Sequence, residues 1–198
     1  MKKSIWIVLT TLVLDQALKI WVKTHMYLGQ EYQIFDWFYI HFTENNGMAF
    51  GMEFGGDWGK LGLSLFRIVF VVFMASFLLK LIRKNVDKVL IVSLSLVLAG
   101  AVGNIIDGTL YGILFSESYR QLATFLPEAG GYAPLFFGKV VDMFYFPIFK
   151  GYLPEWIPFW GGDYFVFFRP VFNIADSAIS IGVAIMVIFQ KKVMNELE

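Results

Sequence analysis

The sequence predicts a mainly α-helical integral membrane protein with four transmembrane helices, and three observations lead there. Of the 198 residues, 58% are hydrophobic and only 16% are charged, against roughly 25% charge in soluble domains. Four stretches, 4–22, 61–81, 89–107 and 170–189, approach the ~20 apolar residues that a helix needs to cross a bilayer. Dense basic clusters flank these stretches at one set of ends.

The first span follows Met1-Lys2-Lys3. A basic start and an apolar run also describe a signal peptide. Here Asp15 and Lys19 interrupt the run and no small-x-small cleavage site follows, so an uncleaved first helix is expected. Lys80, Arg83, Lys84 and Lys88 crowd the link between the second and third spans, and Lys191 and Lys192 follow the fourth. Basic residues beside helix ends orient those ends toward the cytoplasm. Both termini and the short link are therefore expected inside, and the long connections, 23–60 and 108–169, outside. Within the first connection, Trp37 to Thr43 alternates well enough for a short strand on the membrane surface. The second holds Pro127, Pro134, Pro147, Pro154 and Pro158, so it is not one helix, and its length calls for short elements of its own. Residues 1–198 are read as a single membrane-embedded domain.

Composition excludes several functions. Zero net charge leaves no nucleic-acid footprint. The absence of cysteine removes disulfides, thiolate metal sites and cysteine nucleophiles. His25 and His41 are the only histidines and no H-E-x-x-H occurs, so neither a metal nor another cofactor is expected.

Two acids stand out, Asp142 in Val140-Val141-Asp142 and Asp176 in Phe172-Asn173-Ile174-Ala175-Asp176. Both have strongly apolar neighbours, where an ionised carboxylate is costly. Two carboxylates brought together can share one proton and activate water. Other polar residues fall in register with them. Gly100, Gly103, Asn104 and Asp107 are spaced i, i+3, i+4, i+7, as are Asn173, Asp176, Ser177 and Ser180; Asp15, Gln16 and Lys19 share one side of the first span. All three stripes lie in the outer half of the bilayer and must face one another, because lipid would leave them unpaired. A polar pocket open to the extracytoplasmic side follows. Asp15 and Lys19 read as a structural i, i+4 ion pair. Acids within helices also suit a small proton-coupled transporter, the alternative reading. Against it, the inner halves offer no polar exit path and no internal repeat or broken helix is visible.

In order, Asp15-Gln16-x-x-Lys19, Asn45-x-Gly47-x-Ala49-Phe50, Gly103-Asn104-x-x-Asp107, Val140-Val141-Asp142 and Phe172-Asn173-x-Ala175-Asp176 resemble the motifs of the lipoprotein signal peptidase (signal peptidase II) family of intramembrane aspartic proteases. The resemblance implies a catalytic dyad of Asp142 and Asp176. It implies that Asn45, Gly47, Asn104 and Asn173 hold the substrate or orient the carboxylates, with Asp15, Lys19 and Asp107 in support. It also implies a small extracytoplasmic β-cradle and a mobile periplasmic lid on a protein of the bacterial inner membrane; nothing in the sequence demands more than a monomer. The implied substrate is a diacylglyceryl prolipoprotein, cut just before its lipidated cysteine. Two departures matter. Gly108 stands where the family usually has Arg, and Lys139 or Arg169 is expected to supply that cation. The stretch from Tyr111 to Lys139 is longer than usual and reads as either a larger lid or a partner-binding insertion.

Overall fold

A computed structural model describes residues 2–47 and 56–196. Its elements run α1 (Lys2–His25), β1 (Glu31–Phe35), β2 (Phe38–Asn45), α2 (Gly56–Arg83), α3 (Lys88–Ile106), a π-helical turn (Asp107–Tyr111), the single turn α4 (Gly112–Leu114), β3 (Val140–Tyr145), β4 (Phe149–Tyr152), β5 (Tyr164–Phe167), β6 (Val171–Phe172), α5 (Ile174–Ile188) and α6 (Gln190–Asn195). The protein is mainly helical with a small β region, as the sequence predicts. Among the described residues, three helices are long and apolar enough to cross a membrane: Lys2–His25, Trp58–Arg83 and the continuous run Lys88–Leu114. The helix expected at 170–189 is shorter. Val171 and Phe172 pair with β3 instead, so α5 starts at Ile174 and has 15 residues, about 22 Å of rise.

The other helices outrun their predicted limits. α1 continues through Lys23 because that side chain finds a buried partner, Glu44 of β2. α3 passes Asp107 by way of the π-helical turn, a geometry that often marks functional sites. The long stretch 112–139 folds onto this turn. Gly138 lies against the Asp107 backbone at 3.0–3.1 Å from the Gly112 nitrogen and the Gly108 carbonyl for any added Cβ, and Gly131 is similarly pressed against Ile113. Only glycine fits such approaches.

α3 is the central helix. It packs on α1, α2 and α5, and Gly100 and Gly103 make the last of these contacts close. A methyl at Gly100 would overlap the Ala175 carbonyl, and one at Gly103 would sit 2.7 Å from Asp15 Oδ2. The lower bundle is filled by Met74, Leu78 and Leu98. Trp6, Val69, Phe73 and Ile188 point outward and are largely exposed, as lipid-facing residues are. At one end Lys192 of α6 contacts Asp87 of the α2–α3 link at 2.8 Å, so the C-terminal helix and that link share a side. At the other end lies an antiparallel sheet in the order β1-β2-β3-β6. Val141 and Met143 turn one face of β3 into a core with Val22, Met26, Phe42, Tyr111 and Phe115. By strand alternation, Val140 and Asp142 face the other way. β4 and β5 form a separate hairpin.

Candidate active site

Sheet register brings the first acid into place. Asp142 lies opposite Thr43, and Val140 opposite Asn45. Asn45 is thus the diagonal neighbour of Asp142 on the same face, and its Nδ2 donates to Asp142 Oδ2. The second acid is placed by a helix start. Asn173 is the N-cap of α5 and Asp176 its third residue, joined as a reciprocal capping box. The Asp176 backbone N–H donates to Asn173 Oδ1 at 2.9 Å, and the Asn173 N–H donates to Asp176 Oδ2 at 3.2 Å. The helix N-terminus favours negative charge there.

Asn173 touches both acids. Its Nδ2 lies 2.7 Å from Asp142 Oδ1, with Val141 O and Asn104 Oδ1 at 3.2 and 3.1 Å. Asn104 in turn donates from Nδ2 to Asp176 Oδ1 at 2.8 Å. Both acids line one pocket of about 480 Å³ between the sheet and α2, α3 and α5, whose other walls include Phe66, Phe70, Val71 and Ile179. Asp142 is almost fully buried, and burial, followed by the nearby charge of Asp176, pushes its carboxyl up to about 7. The amides of Asn45, Asn104 and Asn173 are committed to this framework.

A second polar layer lies behind Asn104. Lys19 Nζ contacts Asp15 at 2.9 Å and Asp107 at 2.7 Å, and donates to Asn104 Oδ1 at 2.9 Å. Lys19 is fully buried, so it does not reach the surface. Gln16 Nε2 donates to Asp107 Oδ1 at 2.9 Å and to the Gly103 carbonyl at 3.2 Å. The layer also holds backbone: Asp15 Oδ1 accepts from Ala175 N at 2.9 Å, and Asp107 Oδ2 from Val141 N at 3.2 Å. The expected Asp15–Lys19 pair is therefore one edge of a cluster that ties α1, α3, β3 and α5 together.

The expectation about the cation is corrected. Neither Lys139 nor Arg169 lines the pocket. Lys139 sits over the Tyr132 ring and 3.6 Å from Glu44, and Arg169 is exposed, donating to Tyr164 O. Arg67 of α2 lines the pocket instead, near enough to Asp176 to feel its charge. Its signal was in the sequence, where it is the single charge between Leu61 and Leu79. Lys23 was also missed; it pairs with Glu44, is bonded to Ser118 at 2.8 Å and is boxed by Phe42, Phe115 and Tyr132. None of residues 112–139 lines the pocket; they pack onto the end of α1 through Phe115 and Ala123. Gly47 lies on the pocket wall with φ +80°, whereas Ala49 and Phe50 of the same motif fall outside the described residues.

Apolar helices enclosing an acidic pocket define an integral membrane protein with a polar site sunk among its helices. The chain belongs to the signal peptidase (SPase) II family, whose pattern matches residues 7–191, and it is accordingly a peptidase. It is 52% identical to a lipoprotein signal peptidase of Porphyromonas gingivalis, over 96% of this chain and 84% of that protein. With the lipoprotein signal peptidase of Amoebophilus asiaticus it shares 39% identity over 95% of this chain and 79% of the relative. The fold resembles a bacterial membrane enzyme solved by the in meso method at 2.3 Å resolution, with TM-score 0.63, 24% identity and coverage of 98% and 92% of the two chains. A second such structure, at 1.9 Å, gives TM-score 0.57 and 26% identity over 95% and 92%. These relationships do not favour the transporter alternative.

Proposed function

We propose that this chain is an intramembrane aspartic endopeptidase that removes the signal peptide from diacylglyceryl prolipoproteins, cutting just before the lipidated cysteine. The observation that carries this reading is the bridge made by Asn173, which joins Asp142 and Asp176 in one pocket. Family membership supports the substrate class.

Peptide hydrolysis needs a base for water and an acid for the carbonyl. In this reading one aspartate, ionised, takes a proton from water. The other, protonated, donates to the scissile carbonyl and then supports its oxyanion. The value near 7 for Asp142 suits a pair holding one proton between them. Asn45, Asn104 and Asn173 orient the carboxylates. Asp15, Lys19 and Asp107 hold Asn104 and the start of α5. Gly47 lets the chain pass close to the pocket. The aromatic and aliphatic wall from α2 and α5 gives lipid-like surroundings for the substrate, whose acyl chains stay in the bilayer.

The chain works as one domain and a monomer in the bacterial inner membrane, with α5 and α6 completing the fourth crossing. The basic flanks favour cytoplasmic termini, and the Lys192–Asp87 contact supports a common side for the C-terminal helix and the α2–α3 link. The pocket then opens at the extracytoplasmic face, with the sheet as its cradle.

The test is cleavage of a synthetic diacylglyceryl lipobox peptide by the purified protein in lipid. Cleavage before the modified cysteine is expected, with no cut in the unlipidated peptide. Asp142→Asn and Asp176→Asn should each lower the rate by at least about a hundredfold while the protein still inserts. Wild-type rates in either variant would overturn the assignment.

A further inference from the structure

Arg67 sits about eleven residues into α2, roughly 16 Å along its axis, on a helix otherwise uncharged from Leu61 to Leu79. A cation at such depth needs a partner and a reason. It lines the pocket with both acids, yet its described hydrogen bond goes elsewhere, from Nη2 to the carbonyl of Gly47. Gly47 in turn donates its N–H to Asn45 Oδ1. That bond fixes which end of the Asn45 amide is free, and the free end donates to Asp142. Gly47 is suited to this link on two counts: its φ is +80°, and a Cβ there would lie 2.5 Å from Arg67 Nη1.

We propose that Arg67 is a positioning residue, which grips the Gly47 carbonyl and so holds the Asn45 amide in the orientation that aims its N–H at Asp142. The inference rests on the peptidase reading above. Guanidinium suits the task better than ammonium, because its planar fork can bond the carbonyl with one arm and keep others directed into the pocket. A shift of the Asn45–Gly47 turn would misplace the carboxylate partner, and misplacements of about 1 Å cost on the order of a hundredfold in rate.

The experiment measures cleavage of the lipidated lipobox peptide by wild type, Arg67→Ala, Arg67→Lys, Asn45→Ala and the double variants with Asn45→Ala. Arg67→Ala should lower kcat by about 10–100-fold with KM moved less than about threefold. Guanidinium chloride at non-denaturing concentration should restore part of that kcat, and sodium chloride should not. Arg67→Lys should lie between. In the Asn45→Ala background either Arg67 substitution should add little, because the relay is already cut. If Arg67→Ala does not fold, the cycle with Arg67→Lys decides. Unchanged kcat, a change confined to KM, no guanidinium rescue, or full additivity with Asn45→Ala would each overturn the proposal. These failures differ from failure of the peptidase reading, in which the wild type itself leaves the lipidated peptide uncut and both ideas fall.

Discussion

Lys19 donates to the side-chain carbonyl of Asn104 at 2.9 Å, and that contact decides which end of the amide meets Asp176. With Oδ1 facing an ammonium group, Nδ2 is left to donate to Asp176 at 2.8 Å. The reverse orientation would set two donors against each other. The motif Asp15-x-x-x-Lys19 thus acts on the pocket through an amide, without reaching it.

Replacing Lys19 by Met should therefore do two kinds of damage. Asp15 and Asp107 lose their shared cation while buried, and breaking such a cluster costs about 3–5 kcal/mol. Asn104 also becomes free to turn. A large drop in the thermal midpoint in detergent, with lost cleavage, is expected. A variant that melts like wild type would show that the cluster does not hold the bundle.

Much of this was legible in the sequence because membrane burial makes polar residues conspicuous. Asp15, Asn104, Asp107, Asn173 and Asp176 stand out against aliphatic neighbours, and helical spacing alone put them on facing stripes. The strand near Tyr39 showed in its alternation and appears as β2. What was not legible depends on contacts between distant segments. Nothing near Lys23 announces Glu44, which strand pairing brings to it. The start of α5 moved because Val171 and Phe172 found a partner in β3. Arg67 is legible by the same rule as Asp176, a lone charge inside an apolar span, whereas its contact with the Gly47 carbonyl joins segments that no local pattern connects.

The titration of Asp142 gives a pH dependence with a definite sign. Its carboxyl, pushed up to about 7 by burial and then by Asp176, keeps its proton in the native state well above the ordinary carboxylate range near ~4. Between those limits the folded chain binds a proton that the unfolded chain has released. The stability from this group is thus full at low pH and is lost as pH rises through about 7. Cleavage should likewise decline on the alkaline side, with an apparent value that belongs to the pair. Asp176→Asn removes the second cause, so the protonated-carboxyl infrared band of Asp142 should disappear at lower pH. A band with unchanged titration would show that the two acids do not sense each other.

Gly100→Ala tests the α3–α5 crossing. The added methyl would collide with the Ala175 carbonyl and press on Ile179 at 2.7 Å. Overpacking of this kind costs about 1–3 kcal/mol, and relief by moving α5 would carry Asp176 away from Asn104. Reduced kcat together with a lower melting temperature is expected. Full activity would show that α5 can shift without harm.

Asp176→Asn and Asp176→Ala should differ in stability though both lose activity. Asp176 Oδ2 accepts the Asn173 N–H that closes the capping box. An amide can keep an acceptor for that N–H, although its nitrogen then opposes Asn104 Nδ2, while Ala removes both acceptors, the cap alone at about 1 kcal/mol. Parallel melting curves check this; equal midpoints would mean that the reciprocal half of the cap contributes nothing.

That cap ties drug escape to protein survival. A compound that seizes the Asp176 carboxylate competes with the first turn of the helix carrying it. A bacterium that swapped the acid to evade such a compound would loosen the same helix and disarm its own enzyme. Changes along the aromatic wall of α2, where Phe66 and Phe70 border the cavity, would leave both the cap and the pair of acids in place and would act on the fit of compound and substrate instead.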